Sequence, residues 1–295
     1  MMLAYFNALL PVLVCIALGF GIAKRTQWLD APSLPTLVTH IGLPTLILSA
    51  MLGMEVALTD LSTTLIAVLA VLLISALLSW ILLWVSGLSV RGFLPMLVNP
   101  NTGNLGLPLA FAVLGPEALV HAVVISTVVQ ISHFTLGVMV LSGEVHPKKV
   151  LINPSIIALL IGSAWLALDF PKPPAMLETV EFISGIALPI MLLLLGKSIA
   201  SIALRELNRL GRIVGLSIAR IGVGTISAGL VIAVLPLPLI VQHTLLLQAI
   251  MPVAVMSYIL ASYYQGPADD IAAVILISTP LSLIALAGIQ WMVFN

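Results

Sequence analysis

Asn99-Pro100-Asn101-Thr102-Gly103-Asn104-Leu105-Gly106-Leu107-Pro108 interrupts an apolar run that is otherwise long enough to cross a membrane. The break puts three Asn, two Gly and two Pro at about the hydrocarbon midplane. In lipid, every backbone polar group needs a partner inside the protein. Irregular backbone survives there only where it is buried in protein or lines a polar cavity. A stretch that breaks this rule marks a candidate functional site.

The chain around the break is membrane protein throughout. Of its 295 residues 61% are hydrophobic and 7% charged, and the mean hydropathy is +1.25. Soluble domains carry about a quarter charged residues. The formal net charge is zero, which argues against a nucleic-acid partner. The lone cysteine, Cys15, has no intrachain mate and says nothing about compartment. The first residues lack a basic segment, so no cleaved signal peptide is expected.

With roughly 20 residues per crossing, the length accommodates ten spans. They read near 5–23, 34–54, 61–86, 93–115, 117–141, 150–168, 174–200, 211–235, 240–264 and 268–294. The runs are long and Leu/Ala-rich without period-two alternation, which argues against strands. Lys24, Arg25, Arg91, Lys148, Lys149, Lys197, Arg205, Arg209 and Arg212 all fall on one side of this layout. Lys172 lies on the other side, and Arg220 lies within span 8. By the positive-inside rule the basic side is cytoplasmic, so both termini are expected outside.

The halves echo each other. Pro11 and Gly19 match Pro154 and Gly162 at the same spacing, and Leu43-Pro44 matches Leu188-Pro189. Pro100 matches Pro252, Gly115-Pro116 matches Gly266-Pro267, and Ile125-Ser126-Thr127 matches Ile277-Ser278-Thr279. The order is the same throughout. Five spans per half make the second half inverted, and inverted repeats with broken helices at matching places point to a transporter. The expected fold is an all-α polytopic membrane protein. It has two inverted five-helix repeats, residues 1–141 and 150–295, joined by a short cytoplasmic linker at 142–149. Helices 4 and 9 are broken and cross each other.

In this layout span 4 breaks near Asn99–Pro108 and span 9 near Met251-Pro252, and each resumes beyond its break. Both new half-helix N-termini then aim at the centre, where free N–H groups and the positive dipole end favour an anion. Asn101 and Asn104 add amides, and Thr102 adds a hydroxyl. Asn101 is the leading substrate contact, beside Pro100 and Pro252. Gln248, Ser257 and Tyr258 flank the second break. The plainer reading makes all of these caps of a kinked helix pair.

These residues resemble the auxin efflux carrier family, which includes the plant PIN-like proteins. The resemblance rests on the Asn-Pro-Asn-Thr-Gly-Asn-Leu-Gly-Leu-Pro motif, Gly115-Pro116, Pro44 and the Pro252 break, and covers essentially the whole chain. It implies a fold similar to NhaA and the bile-acid symporters, with Pro100 and Pro252 as crossing prolines. It implies a scaffold and dimer interface from spans 1, 2, 6 and 7. Spans 3–5 and 8–10 would then be an elevator-like transport domain, carrying a small organic anion such as a carboxylate or auxin-like molecule. The long hydrophilic loop of many plant members is absent, which suggests a bacterial inner-membrane member. No Asp or Glu lies deep in a span, so coupling through a buried acid is not expected.

Other ionisable residues are read with their alternatives. Arg220 is a charge or clamp for a carboxylate, a snorkelling side chain, or a structural donor to carbonyls. His40 and His133 are possible proton carriers or hydrogen-bonded packing residues. His121, His146 and His243 sit near span ends, where solvation accounts for them. No metal-ligand spacing occurs, and neither a metal nor a cofactor is expected. Gly211, Gly215, Gly222 and Gly224 suggest close helix packing. Ser75 and Ser79 are expected to bond back along their helix. Beyond an anion transporter in a lipid bilayer, the alternatives are a sodium-coupled bile-acid-type symporter and a ligand-sensing receptor without flux. An intramembrane enzyme would need converging nucleophile and base, and no His-Glu-x-x-His or paired Asp occurs.

Overall fold

The computed structural model describes residues 2–52, 58–142, 154–168, 170–201 and 209–293. The expected linker lies outside the described residues from 143 on, as do His146, Lys148, Lys149 and Arg205. Among the described residues regular structure is helical, apart from one isolated bridge between Pro100 and Val253. The helices begin α1 (Met2–Arg25), α2 (Ser33–Leu37), α3 (Leu43–Leu52), α4 (Leu58–Val85) and α5 (Val90–Val98). Next come α6 (Leu107–Leu114), α7 (Pro116–Ser132), α8 (Val138–Ser142), α9 (Pro154–Ala167) and α10 (Pro174–Ser184). The last are α11 (Ala187–Ser201), α12 (Leu210–Val234), α13 (Leu239–Ala249), α14 (Val255–Tyr263) and α15 (Ala268–Val293).

Five helical stretches among the described residues are long and apolar enough to cross a membrane: 61–85, 116–141, 174–197, 210–234 and 268–289. The chain is a polytopic, all-helical membrane protein. Local chemistry explains the helix ends. Ser89 caps α5 by accepting from the Gly92 N–H at 3.1 Å, and proline opens α6 and α10 within their first turn, where a missing N–H costs nothing. Glu117 and the pair Asp269 and Asp270 sit in first turns, favourable to the helix dipole.

Two π turns, Val38–Gly42 and Thr102–Gly106, each run directly into a Leu-Pro pair. Pro44 and Pro108 have no N–H to return to residues 40 and 104. At the first turn the ladder widens, and the Leu43 N–H reaches Val38 O instead. A third π turn, His133–Gly137, separates α7 from α8.

The chain divides into two compact units. One holds residues 1–64, 103–127 and 148–201. Its helices touch through small residues, as expected where lipid removes the hydrophobic drive to pack. A Cβ at Gly196 would strike the Ile16 carbonyl of α1, and one at Gly19 would strike the Leu193 carbonyl of α11. Gly162 of α9 similarly receives Met51. Lys197 is tied to Asp30 at 2.9 Å and to the Leu29 carbonyl at 2.8 Å. His121 is buried beneath Thr64, whose hydroxyl lies 2.8 Å from Nδ1. That corrects the reading of His121 as a solvated end residue. Residues 103–127 cluster here rather than with the rest of spans 3–5, and α6 packs on α1.

The other unit holds residues 65–102, 128–147 and 202–295. Its core joins Phe93, Met96 and Leu97 of α5 to Ile213 and Leu216 of α12 and to Ile271, Val274 and Ile275 of α15. At one end of α12, Arg212 pairs with the buried carboxylate of Asp270 at 2.6 Å. Arg91 clamps the Leu141 carbonyl from Nε and Nη2 at 3.0 and 2.7 Å. Two small expectations fail. Gly211, Gly215 and Gly222 have open space where a Cβ would stand, and only Gly224 makes a close approach. Ser79, buried on α4, has no hydrogen-bond partner, so it does not bond back along its helix.

Candidate functional site

Two chain breaks meet in the second unit. α5 ends at Asn99, which turns to extended backbone at φ −106° and ψ 98°. Its N–H and side-chain amide both bond to the Pro95 carbonyl, at 3.1 and 2.9 Å. α13 ends before Ile250, and the backbone stays irregular until α14 begins at Val255. Pro100 and Val253 pair antiparallel, and the Asn101 N–H donates to the Pro252 carbonyl at 2.8 Å.

Such irregular backbone must be satisfied from its surroundings, and the partners are specific. Ser282 of α15 donates to the Ile250 carbonyl at 2.7 Å. The Val253 N–H donates to Ser278 Oγ, one turn earlier on the same helix, at 3.3 Å. Arg220, 1% exposed, does the rest. It donates from Nη2 to the Ala249 carbonyl at 2.5 Å, from Nε to Met251 O at 3.4 Å and from Nη1 to Leu97 O. One guanidinium thus binds the carbonyl ends of both interrupted helices, α5 and α13. A cation at a helix C-terminus opposes the dipole's negative end, and the planar fork of donors suits several carbonyls at once. Gly224, one turn along α12, leaves room for this approach, because a Cβ there would overlap the Ala249 carbonyl.

Of the readings open to Arg220, its contacts match the structural donor to carbonyls, not the snorkelling side chain. Its charge also leaves the carbonyl ends of the break less negative, which favours an anion nearby.

Some buried polar atoms at these breaks have no partner. Asn101 is 5% exposed and its amide nitrogen is unpaired. Gln248, in the last turn of α13, is fully buried with both amide atoms unpaired. Ser227, on the Arg220 and Gly224 face of α12 by helical spacing, is also buried and unpaired. Native proteins leave few such atoms, and each calls for an explanation. These are amide N–H donors on Asn101 and Gln248, an amide oxygen on Gln248 and a hydroxyl on Ser227 that the protein leaves unpaired.

The remaining sequence candidates scatter. Thr102 is buried and its N–H bonds to Pro100 O at 2.8 Å. Asn104 is half-buried on the π turn that follows, in the stretch that clusters with the other unit. Tyr258 is exposed on α14. His40 is exposed, with Nδ1 3.1 Å from the Thr36 carbonyl of its own helix. His133 and Ser257 are brought together, Nε2 to Oγ at 3.0 Å, both buried. This bond joins the third π turn to α14. Bonded to each other, the two side chains tie helices together.

The supporting residues Ser278 and Ser282 and the unpaired Ser227 carry only a faint sequence mark. Ser278 belongs to the repeated Ile-Ser-Thr triplet, and Ser278 and Ser282 stand one turn apart on one face.

Residues 138–290, just over half of the chain, match the family described as membrane transport protein. An uncharacterized transporter of Methanocaldococcus jannaschii is 26% identical over 204 residues, covering 66% of this chain and 66% of that protein. The chain therefore matches just under two thirds of that relative's length.

Proposed function

Starting from the fact that this chain belongs to the membrane transport protein family of auxin efflux carrier-like proteins, and so is a membrane transporter, we propose that its cargo is a small organic anion. The observation that carries this reading is the unpaired amide of Asn101, buried where two helices break. There the carbonyl ends are held by a cation, Arg220. The Asn101 amide N–H is a free donor at the break, while the Leu97, Ala249 and Met251 carbonyls are held by Arg220, a polarity that suits a carboxylate.

The wider plan is ten spans in two inverted repeats, with helices 4 and 9 as the crossed pair. Matching Pro100 and Pro252 breaks support it, as does the recurrence of the other paired motifs in order. An elevator motion would carry the crossing against a scaffold of spans 1, 2, 6 and 7. The division into two compact units supports it in part: one holds α1 to α3 and α9 to α11, as a scaffold should, and also residues 103–127 of spans 4 and 5. The scaffold would also pair two copies into a homodimer. In a bacterial inner membrane, the positive-inside rule applied to the basic residues would put both termini outside.

The test is binding followed by flux. Small carboxylates should raise the thermal midpoint of the wild-type protein and should enter proteoliposomes. Binding without flux would favour the receptor reading. Neither binding nor flux with any carboxylate would remove the anion assignment.

A further inference from the structure

The unit that contains the two breaks has a second polar feature, at the other end of α5. A cavity of about 320 Å³ is walled by the start of α5, the end of α8 and the turn that joins α14 to α15. Ser89, Arg91, Tyr264 and Gln265 contribute polar groups to its walls, and no Asp or Glu does. Arg91 is exposed, yet its guanidinium is fixed. Nε and Nη2 both donate to the Leu141 carbonyl, at 3.0 and 2.7 Å. Those donors are one edge of the planar fork. The end-on edge, Nη1 with the second N–H of Nη2, is left over. Among the described residues it has neither a hydrogen-bond nor a carboxylate partner.

The other arginines nearby in sequence to this end of the spans are compensated. Arg209 and Arg212 pair with Asp270 at 3.4 and 2.6 Å. Asp269, in the same first turn of α15, is exposed and takes no part in the cavity walls. Arg91 therefore brings an uncompensated positive charge to an accessible cavity. Its free edge presents two parallel N–H groups, which match two oxygens of a single anion. Ser89 Oγ accepts from the Gly92 N–H at 3.1 Å and still has its own proton to donate.

Position selects among anions. Three stretches long and apolar enough to cross a membrane end at these walls: 61–85 a few residues before Ser89, 116–141 at Leu141 itself, and 268–289 directly after Pro267. The cavity thus lies where spans end, at headgroup depth, and basic pockets between helix ends at that level suit phosphate groups.

We propose that Arg91 and Ser89 hold a phosphate group in this cavity, carried by an anionic lipid or by a soluble phosphate ester that offers the same oxygens. The inference does not rest on the anion reading of the break, since it uses neither Asn101 nor Arg220. Occupancy would brace the clamp between α8 and α5, the helix that ends at the break.

Native mass spectrometry of the full chain in detergent tests it, with dioleoylphosphatidylglycerol, dioleoylglycerol and glycerol 1-phosphate as probes. The wild-type protein should retain phosphatidylglycerol and not dioleoylglycerol, which lacks the phosphate. Displacement by glycerol 1-phosphate would identify a soluble ester as occupant, and resistance to it the lipid; both outcomes support a phosphate site. Arg91→Gln should weaken retention about tenfold, the share of one charge-assisted hydrogen bond. Gln265→Glu, at an exposed wall position, leaves the Arg91 clamp intact and should weaken retention roughly threefold by adding a like charge. If Arg91→Gln is not monodisperse, Gln265→Glu decides. Phosphatidylglycerol held by Gln265→Glu as tightly as by wild type would overturn the proposal, and so would equal retention of dioleoylglycerol.

Discussion

Arg220 and Ala249 are joined at 2.5 Å, guanidinium to carbonyl, across the closest approach of α12 to the end of α13. The same side chain holds Leu97 and Met251. The meeting of the two chain breaks is therefore built around a buried cation that backbone carbonyls solvate.

Arg220→Ala should be destabilising rather than selectively inactivating. It would orphan three buried carbonyls, at about 1–3 kcal/mol for each group left unsatisfied. Arg220→Lys keeps the charge but loses the planar fork, so it should recover only part of the loss. Thermal unfolding in detergent measures this. An Arg220→Ala protein as stable as wild type but unable to bind carboxylates would make Arg220 a substrate clamp instead.

Gly224→Ala and Gly211→Ala should separate cleanly. A methyl at Gly224 would meet the Ala249 carbonyl, which the backbone holds in place. Overpacking of that kind costs about 1–3 kcal/mol. Gly211 faces open space, and in a helix Ala is favoured over Gly by up to about 1 kcal/mol. Comparable midpoints for the two variants would show that α12 does not pack as described.

Ser278→Ala and Ser282→Ala each remove the partner of one backbone group in the second break. Each should lower stability by about 1–2 kcal/mol, and flux should fall further, because the break loses its fixed shape. Ser75→Ala, elsewhere on α4, supplies the comparison. Flux losses no greater than that control would leave the serines as ordinary packing.

Pro252→Ala should impair transport more than stability. The Asn101 N–H can still reach the carbonyl of residue 252, but α13 becomes free to run on toward α14. Equal losses of thermal stability and flux would mark Pro252 as purely structural.

How far the site was legible depends on which atoms act. The break at Pro100 is plain in the sequence because proline, glycine and asparagine announce it, and Leu-Pro pairs likewise locate the start of α6. Asn101 is legible as an amide with nowhere ordinary to go. The partners of Arg220 are not legible. They are main-chain carbonyls, and a carbonyl leaves no trace in residue identity. The glycines of α12 mislead for a related reason. Their spacing suggests a packing stripe, yet only Gly224 faces another backbone, and spacing alone does not say which face is covered. His121 looks like an end residue by position and is buried because Thr64 lies over it.

The most direct test of an anion held at the break is the carboxylate-induced thermal shift of Asn101→Ala beside wild type and Ser257→Ala. Its backbone N–H bond to Pro252 does not depend on the side chain, so Asn101→Ala should unfold near the wild-type midpoint in the absence of ligand. The account predicts that carboxylates raise the midpoint of wild type and of Ser257→Ala, and leave that of Asn101→Ala unmoved. A full carboxylate shift in Asn101→Ala would contradict it.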